Sequence, residues 1–251
     1  MTPRTVYVTG ASSGLGRGLA LHYAKEGSTV YAVARREAEL RRLREEAPEG
    51  RLVPVVLDVT DSERLVRSIT DAEGAAGGAL DLVIANAGAG YTASARKMDW
   101  TAVKNVLEVN ATAACVTVAA ALPAMVKRNA GQVVAISSLA AFRGMPRNAA
   151  YCASKAALHL FMESIRVDLR GTPVIATTIY PGFVKTELTA KNKFRMPLLM
   201  ELDEAVRVMA RGIAKGKATI AYPLPMAAAV RGLHALPRAL YEPLAGRLRL
   251  F

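Results

Sequence analysis

Apolar residues recur along this chain in two alternating rhythms. Short runs rich in Val, Ile, Leu or Ala occupy residues 4–9, 29–33, 52–57, 80–85, 132–137, 174–179 and 219–221. A parallel strand covered by helices on both sides needs no polar face, so short unbroken apolar runs predict buried parallel strands. Between the runs, residues 17–25, 36–46, 62–75, 100–127 and 149–169 place apolar side chains at helical spacing. Strand and helix in steady alternation predict an α/β fold, a doubly wound parallel sheet with helices on both faces.

A chain of 251 residues without a Pro/Ser-rich linker or low-complexity run reads as one domain. Residues 1–222 hold the alternating pattern. Residues 223–251 form a helical C-terminal extension, in which Pro225, Pro237 and Pro243 interrupt a stretch rich in Leu and Arg. Apolar faces edged by arginine suit the same domain, a partner subunit or an anionic membrane surface. Contact with protein ranks above contact with membrane.

Composition narrows the function classes. Cys115 and Cys152 both fall in predicted helices, which argues against a disulfide scaffold and for a reducing, cytoplasmic setting. His22, His159 and His234 are scattered and read as helix-surface residues, so no metal cluster is expected. The longest uncharged stretch near the C-terminus, 218–230, has 13 residues, fewer than the ~20 a spanning helix needs. Thirty-three basic against 21 acidic residues give a net charge of +12, which attracts anions generally. The basic residues are spread through helices and loops without interleaved aromatics, so nucleic acid is not an expected partner.

Chemistry enters at the end of the first strand. Gly10-Ala11-Ser12-Ser13-Gly14-Leu15-Gly16 joins a strand to a helix N-terminus, the arrangement that cradles a phosphate on backbone N–H groups. Gly10 suits a tight turn, Gly14 lets a pyrophosphate approach and Gly16 allows close helix packing. The second strand ends Ala34-Arg35-Arg36, where an acidic residue would hold a free ribose hydroxyl. Two guanidinium forks there favour a 2′-phosphate, hence NADP(H) over NAD(H), with Arg35 given the larger share and Arg36 also a helix-capping candidate. Later, Tyr151 and Lys155 lie four apart on one helical face. A phenol needs a stabilised anion to exchange protons near neutrality, and a neighbouring ammonium supplies it. The same spacing also suits an inert packing pair.

In chain order these segments resemble the classical short-chain dehydrogenase/reductase superfamily, in its NADPH-preferring branch. Thr9 through Gly16 resembles its cofactor motif, Asn86-Ala87-Gly88 its fourth-strand motif and Tyr151-x-x-x-Lys155 its active-site motif. Ser138 precedes Tyr151 by 13 residues, as that family's catalytic serine does, and Asn110 stands where the family has its helix asparagine. Pro181-Gly182-Phe183-Val184-Lys185-Thr186 resembles its nicotinamide-lining segment.

The resemblance implies a Rossmann-type, NADP(H)-binding catalytic domain over 1–222 and a carbonyl or secondary alcohol as small-molecule substrate. Tyr151 would be the general acid/base, Lys155 would lower its pKa and hold the nicotinamide ribose, Ser138 would polarise the substrate oxygen, and Asn110 would position a relay water. Gly10, Ser12, Ser13, Gly14, Leu15, Gly16, Arg35 and Arg36 would bind the cofactor with Asp58 and Val59 near the adenine. Asn86, Ala87, Gly88, Pro181, Gly182, Val184 and Thr186 would complete that site. A homodimer or homotetramer is implied as well. Structural alternatives stand beside these roles: Ser137 could exchange with Ser138, Asn110 could satisfy backbone, and Asp58 could only start a turn. An epimerase or dehydratase, or a non-catalytic NADP(H)-sensing or scaffold protein, is the alternative function.

The substrate pocket is expected at the carboxyl edge, among the loops 89–97, 139–150 and 187–199, the last resembling the family's lid. Phe142, Met145, Phe194, Met196, Leu198 and Leu199 suit an apolar or amphipathic substrate. Arg143, Arg147, Lys191, Lys193 and Arg195 offer an anion handle or mere solvation.

Overall fold

The computed structural model describes residues 2–190 and 196–247. Strand β1 (Thr5–Thr9) leads through the glycine turn into α1 (Gly14–Lys25), followed by β2 (Thr29–Ala34), α2 (Glu37–Glu46), β3 (Leu52–Val56), α3 (Ser62–Ala76) and β4 (Leu82–Ala85). The second half runs α4 (Trp100–Leu107), α5 (Ala113–Arg128), β5 (Gln132–Ile136), α6 (Ala149–Asp168), β6 (Ile175–Pro181), a short α7 (Glu187–Ala190), α8 (Leu202–Ala214) and β7 (Thr219–Tyr222). Two further helices, α9 (Leu224–Ala235) and α10 (Arg238–Arg247), close the described chain.

All seven strands pair in parallel in the order β3-β2-β1-β4-β5-β6-β7. The strand period of two sorts the side chains between two cores. Val6, Val8, Val30 and Ala32 point to one face, where Leu19 of α1, Leu40 of α2 and Met209 of α8 cover them. Tyr7, Tyr31 and Val33 point to the other, under Leu65 of α3, Val118 of α5 and Leu158 of α6. The doubly wound sheet expected from the sequence is therefore the observed architecture. The strand order reverses between β1 and β4, and a crevice opens at such a switch point at the carboxyl ends.

Two elements differ from the sequence reading. The apolar stretch 100–127 is broken by a π-helical turn over Glu108–Thr112, which inserts one extra residue into the helical ladder and turns Asn110 inward. The whole of Trp100–Arg128 is apolar and long enough to cross a membrane. Its apolarity has a local cause, because Ala113, Val118, Ala121 and Met125 are packed into the second core. Helix α8 was not expected, although Ala205, Val206, Met209 and Ile213 carry its apolar face and Asp203 and Glu204 favour its N-terminus.

Helices α9 and α10 fold back onto the segment between β5 and α6. Ala227, Met226 and Val230 of α9 pack with Leu139, Ala141, Phe142 and Tyr180 in a third small cluster. Phe142 stacks on Tyr180 at 4.9 Å between ring centroids and on His159 at 5.3 Å. His159 Nδ1 shares a 2.6 Å hydrogen bond with the Tyr180 hydroxyl, so it is a partner in this cluster rather than a plain surface residue. Phe142, expected among the substrate-pocket residues, is packed on this cluster.

Candidate active site

The carboxyl ends of β1, β4, β5 and β6 bring the sequence-selected residues to one edge. At the switch point Thr9 Oγ1 accepts the N–H groups of Asn86 and Ala87 at 3.0 and 3.1 Å. Asn86 returns its side-chain amide to the Thr9 carbonyl at 2.9 Å, which locks β1 to β4 just below the glycine turn. Gly10 has φ +70, and a Cβ there would lie 2.8 Å from Ala87 Cα. A methyl on Gly16 would overlap the Gly10 carbonyl and the Asn86 amide. The turn is thus held open by missing side chains. Ser13 caps α1 through extended backbone and leaves its hydroxyl out of the cap, while Leu15 packs against the first core. Thr186 closes over the turn, its methyl 3.3 Å from where a Gly14 Cβ would stand.

The two arginines take different partners. Arg36 donates from Nε and Nη2 to Ser12 Oγ at 3.1 and 3.0 Å and pairs with Glu187 at 3.0 Å, so it bridges the glycine turn to the start of the lid. Arg35 points to Asp58, 3.3 Å away, with 70% of its side chain exposed. Asp58 also accepts the Thr60 amide and hydroxyl. Burial pulls its carboxyl up, and the Thr60 donors together with Arg35 outweigh that and hold it below the usual range. Asp61, not Asp58, caps α3. Val59 is buried beside it in the second core.

Ser138, Tyr151 and Lys155 meet at the end of β5. The extended backbone at Ser137 and Ser138 sends successive side chains in opposite directions. Ser137 is buried and donates to the Lys155 carbonyl at 2.9 Å, whereas Ser138 lies near enough to the Tyr151 hydroxyl to favour its anion and receives the Ala140 amide at 3.1 Å. Ser138 is therefore the serine beside the phenol. Its oxygen also lies 3.5 Å from the Pro181 carbonyl. Lys155 is 4% exposed, donates from Nζ to the Ile136 carbonyl at 2.8 Å and stands 5.9 Å from the centroid of the Tyr151 ring.

Burial governs both titrations. It raises the Tyr151 phenol, with the Ser138 hydroxyl opposing and the neighbouring Cys152 adding to the rise. It pulls the Lys155 ammonium down to about 8. Here the phenol is held protonated rather than lowered.

Asn110, fully buried in the π-helical turn, accepts the Ala89 N–H at 2.7 Å and donates to the Ala89 carbonyl at 2.9 Å and Ser154 Oγ at 3.1 Å. It clamps the loop that follows Gly88, which is the backbone-satisfying geometry named as its structural alternative. Gly88 lies between them, with Lys155 Nζ 4.0 Å from where its Cβ would stand. Gly182 donates to the Tyr222 carbonyl at 2.7 Å, and Val184 is buried and bridges to Met200.

The extension packs on its own domain, one of the placements its composition suits, through individual contacts that the sequence does not show. Arg143 donates to the carbonyls of His234 and Leu236 at 3.3 and 3.2 Å and lies over the Tyr241 ring at 4.1 Å. Tyr241 in turn donates to the Gly144 carbonyl at 2.6 Å. Arg143 thus ties the loop after β5 to the extension. Among the pocket candidates, Leu198 and Leu199 are exposed, and Lys191, Lys193, Phe194 and Arg195 lie outside the described residues.

Comparison with known proteins bears on the whole chain. The family model described as short chain dehydrogenase matches residues 4–196. An uncharacterized oxidoreductase of Myxococcus xanthus is 50% identical over 251 residues, covering 99% of each chain. A short-chain dehydrogenase/reductase of Burkholderia phymatum in complex with NAD superposes with TM-score 0.84 at 23% identity, over 92% of this chain and 93% of that one. A short-chain dehydrogenase of Sphingobium yanoikuyae in complex with NADPH superposes with TM-score 0.80 at 24% identity, over 98% and 96%.

Proposed function

The chain belongs to the short chain dehydrogenase family, and on that premise we propose that it is an NADP(H)-dependent oxidoreductase interconverting a carbonyl and a secondary alcohol. One observation carries the reading. Ser138 beside the Tyr151 phenol, with the buried Lys155 5.9 Å from that ring, sits on the same sheet edge as a glycine turn that a single methyl would obstruct.

Such a turn, facing the first amides of α1, fits a pyrophosphate. Arg36 lies on Ser12 with a guanidinium that fits a 2′-phosphate, and it takes the larger share of that role with Arg35 second. When bound, the dinucleotide would supply or accept the hydride. The residues do the rest. Ser138 donates toward the substrate oxygen and orients it. Tyr151 holds its proton at neutral pH because burial opposes the phenolate, so it stands ready as the acid in carbonyl reduction. Lys155, with its ammonium near 8, remains mostly charged at neutrality and stabilises the phenolate as the proton leaves. Asn110 keeps the 88–89 loop in place beside Lys155.

Leu188, Leu198 and Leu199, exposed on the described flanks of the lid, favour an apolar or amphipathic substrate. Trp100 on α4 and Leu160 and Val167 on α6 are 75%, 62% and 63% exposed, an apolar surface suited to a second copy in a homo-oligomer.

Stereospecifically deuterated NADPH, offered with acyl ketones, steroids and quinones, tests the reaction. Label in the alcohol product is expected. Tyr151→Phe should lower turnover by roughly 100- to 10,000-fold, the range of a lost general acid, while NADPH binding persists. Near-wild-type turnover in that variant would remove Tyr151 from its role, and NADH outcompeting NADPH at equal concentration would remove Arg36 from its role.

A further inference from the structure

The opposite, amino edge of the sheet holds a cavity of about 890 Å³. It lies beneath the starts of β1, β4, β5 and β6, between the last turn of α1 and the second half of α8. A β-strand of this length separates it from the glycine turn by roughly 13 Å at about 3.3 Å per residue. No residue placed in the oxidoreductase site lines it.

Its walls and rim differ in character. Tyr23, Leu82, Ile175, Ala210 and Ile213 form apolar walls, and Arg4, His22, Arg128, Arg207 and Arg211 share the rim with Glu26 and Asp81. Asp81 is already neutralised: one oxygen pairs with Arg128 at 3.0 Å, and the other accepts the Arg4 and Thr5 amides at 2.8 and 3.0 Å. Arg128 spends its remaining donors on the carbonyls of Ala79, Leu80 and Ala130. Arg207 and Arg4, by contrast, have no side-chain ion-pair partner among the described residues, and Arg211 reaches only the Arg207 carbonyl at 3.3 Å. Among the described residues, three arginines without a carboxylate partner therefore line the cavity with one unpaired carboxylate, Glu26.

Tyr23, which lines the cavity, is almost wholly buried, and its hydroxyl has no hydrogen-bond partner among the described residues. The volume is within the roughly 300–1,000 Å³ of small-molecule sites. No glycine turn or aromatic stacking pair is present for a nucleotide.

We propose that this amino-edge cavity binds an acyl carboxylate, its head on Arg4, Arg207 and Arg211 and its hydrocarbon body against Leu82, Ile175 and Ile213. The site is separate from the hydride-transfer chemistry and does not depend on it. Isothermal titration of the full-length protein, saturated with NADP+, with decanoate below its micelle concentration is the test. Saturable one-site binding is expected, weakened at least tenfold by Arg207→Gln with Arg211→Gln and lost in Ala210→Trp, which fills the cavity. Decanol should bind at least tenfold more weakly than decanoate. The arginine variant lies on an exposed helix face, so it tests the site even where Ala210→Trp fails to fold. Absence of saturable binding, or decanoate affinity untouched by the arginine substitutions, overturns the proposal. Equal affinity for decanol overturns the carboxylate assignment.

Discussion

Lys155 sets the sharpest quantitative test. Burial lowers its ammonium from the ordinary 10.5 to about 8, and the ammonium donates to the Ile136 carbonyl. Between those two values the unfolded chain binds a proton that the native state has released. Native stability therefore rises with pH across that window, and the penalty is fullest below about pH 8. At 1.36 kcal/mol per pKa unit, a depression of 10.5 − 8 = about 2.5 units costs about 3 kcal/mol near pH 7. Near pH 9.5 the unfolded lysine still gains about 1 kcal/mol by protonation, so about 2 kcal/mol is relieved between the two. Lys155→Met keeps the side chain's length and removes the titration. It also leaves the Ile136 carbonyl without its donor, but that loss is independent of pH. Urea unfolding of cofactor-free wild type and variant, in steps from about pH 7 to 9.5, isolates the difference. Wild type should gain about 2 kcal/mol on the variant over that range. Parallel stability curves would show that the lysine titrates alike in both states, and the argument from burial would fail.

Three further outcomes follow from contacts at the same edge. Arg36→Ala should weaken NADPH binding tenfold or more, by loss of about 1.5–3 kcal/mol of charge-assisted bonding, and leave NADH nearly unchanged; Arg35→Ala should do less, and fluorescence titration with both cofactors checks the ranking. Gly16→Ala puts a methyl onto the Gly10 carbonyl and the Asn86 amide; thermal melting should report a loss of about 1–3 kcal/mol, and NADPH titration a still larger loss of affinity. Tyr241→Phe removes the donor to the Gly144 carbonyl and Arg143→Ala the donors to His234 and Leu236; because the two side chains also stack, their combined effect on kcat should fall short of the sum of the single effects in free energy, and strict additivity would break the clamp into unrelated contacts.

The division between what the chain discloses and what it conceals follows the range of each interaction. Strand and helix alternation is written in local periodicity, and so the sheet could be expected before any contact was known. Glycines at 10, 14 and 16 are likewise legible, since each is required by backbone geometry within a few residues. Arg35 and Arg36 are harder. Adjacent residues leave β2 in different directions, and only the position of Ser12, 24 residues earlier, shows that Arg36 reaches the turn while Arg35 turns to Asp58. The π-helical turn at Asn110 is invisible for a related reason: its justification is Ala89, 21 residues away.

The extension is the extreme case. Arg143 in isolation is a basic loop residue, well suited to solvent or an anionic substrate. Its geometry is decided by carbonyls at 234 and 236 and a ring at 241, more than 90 positions later. Those contacts fasten the stretch 142–144, between Ser138 and Tyr151, from the side opposite β6. Ser138 is fixed by β5 and Tyr151 by α6, but the loop joining them has only one short 3₁₀ turn, Leu139–Ala141, of its own. Loop backbone without sheet or helix partners is the first part of a fold to open. The extension supplies those missing partners, through Arg143 to two helix-end carbonyls and through Tyr241 to Gly144. The placement of Ser138 beside Tyr151 is therefore set by two regular elements and kept by a third segment, whose pattern of Leu, Arg and Pro shows that it packs on protein but not where.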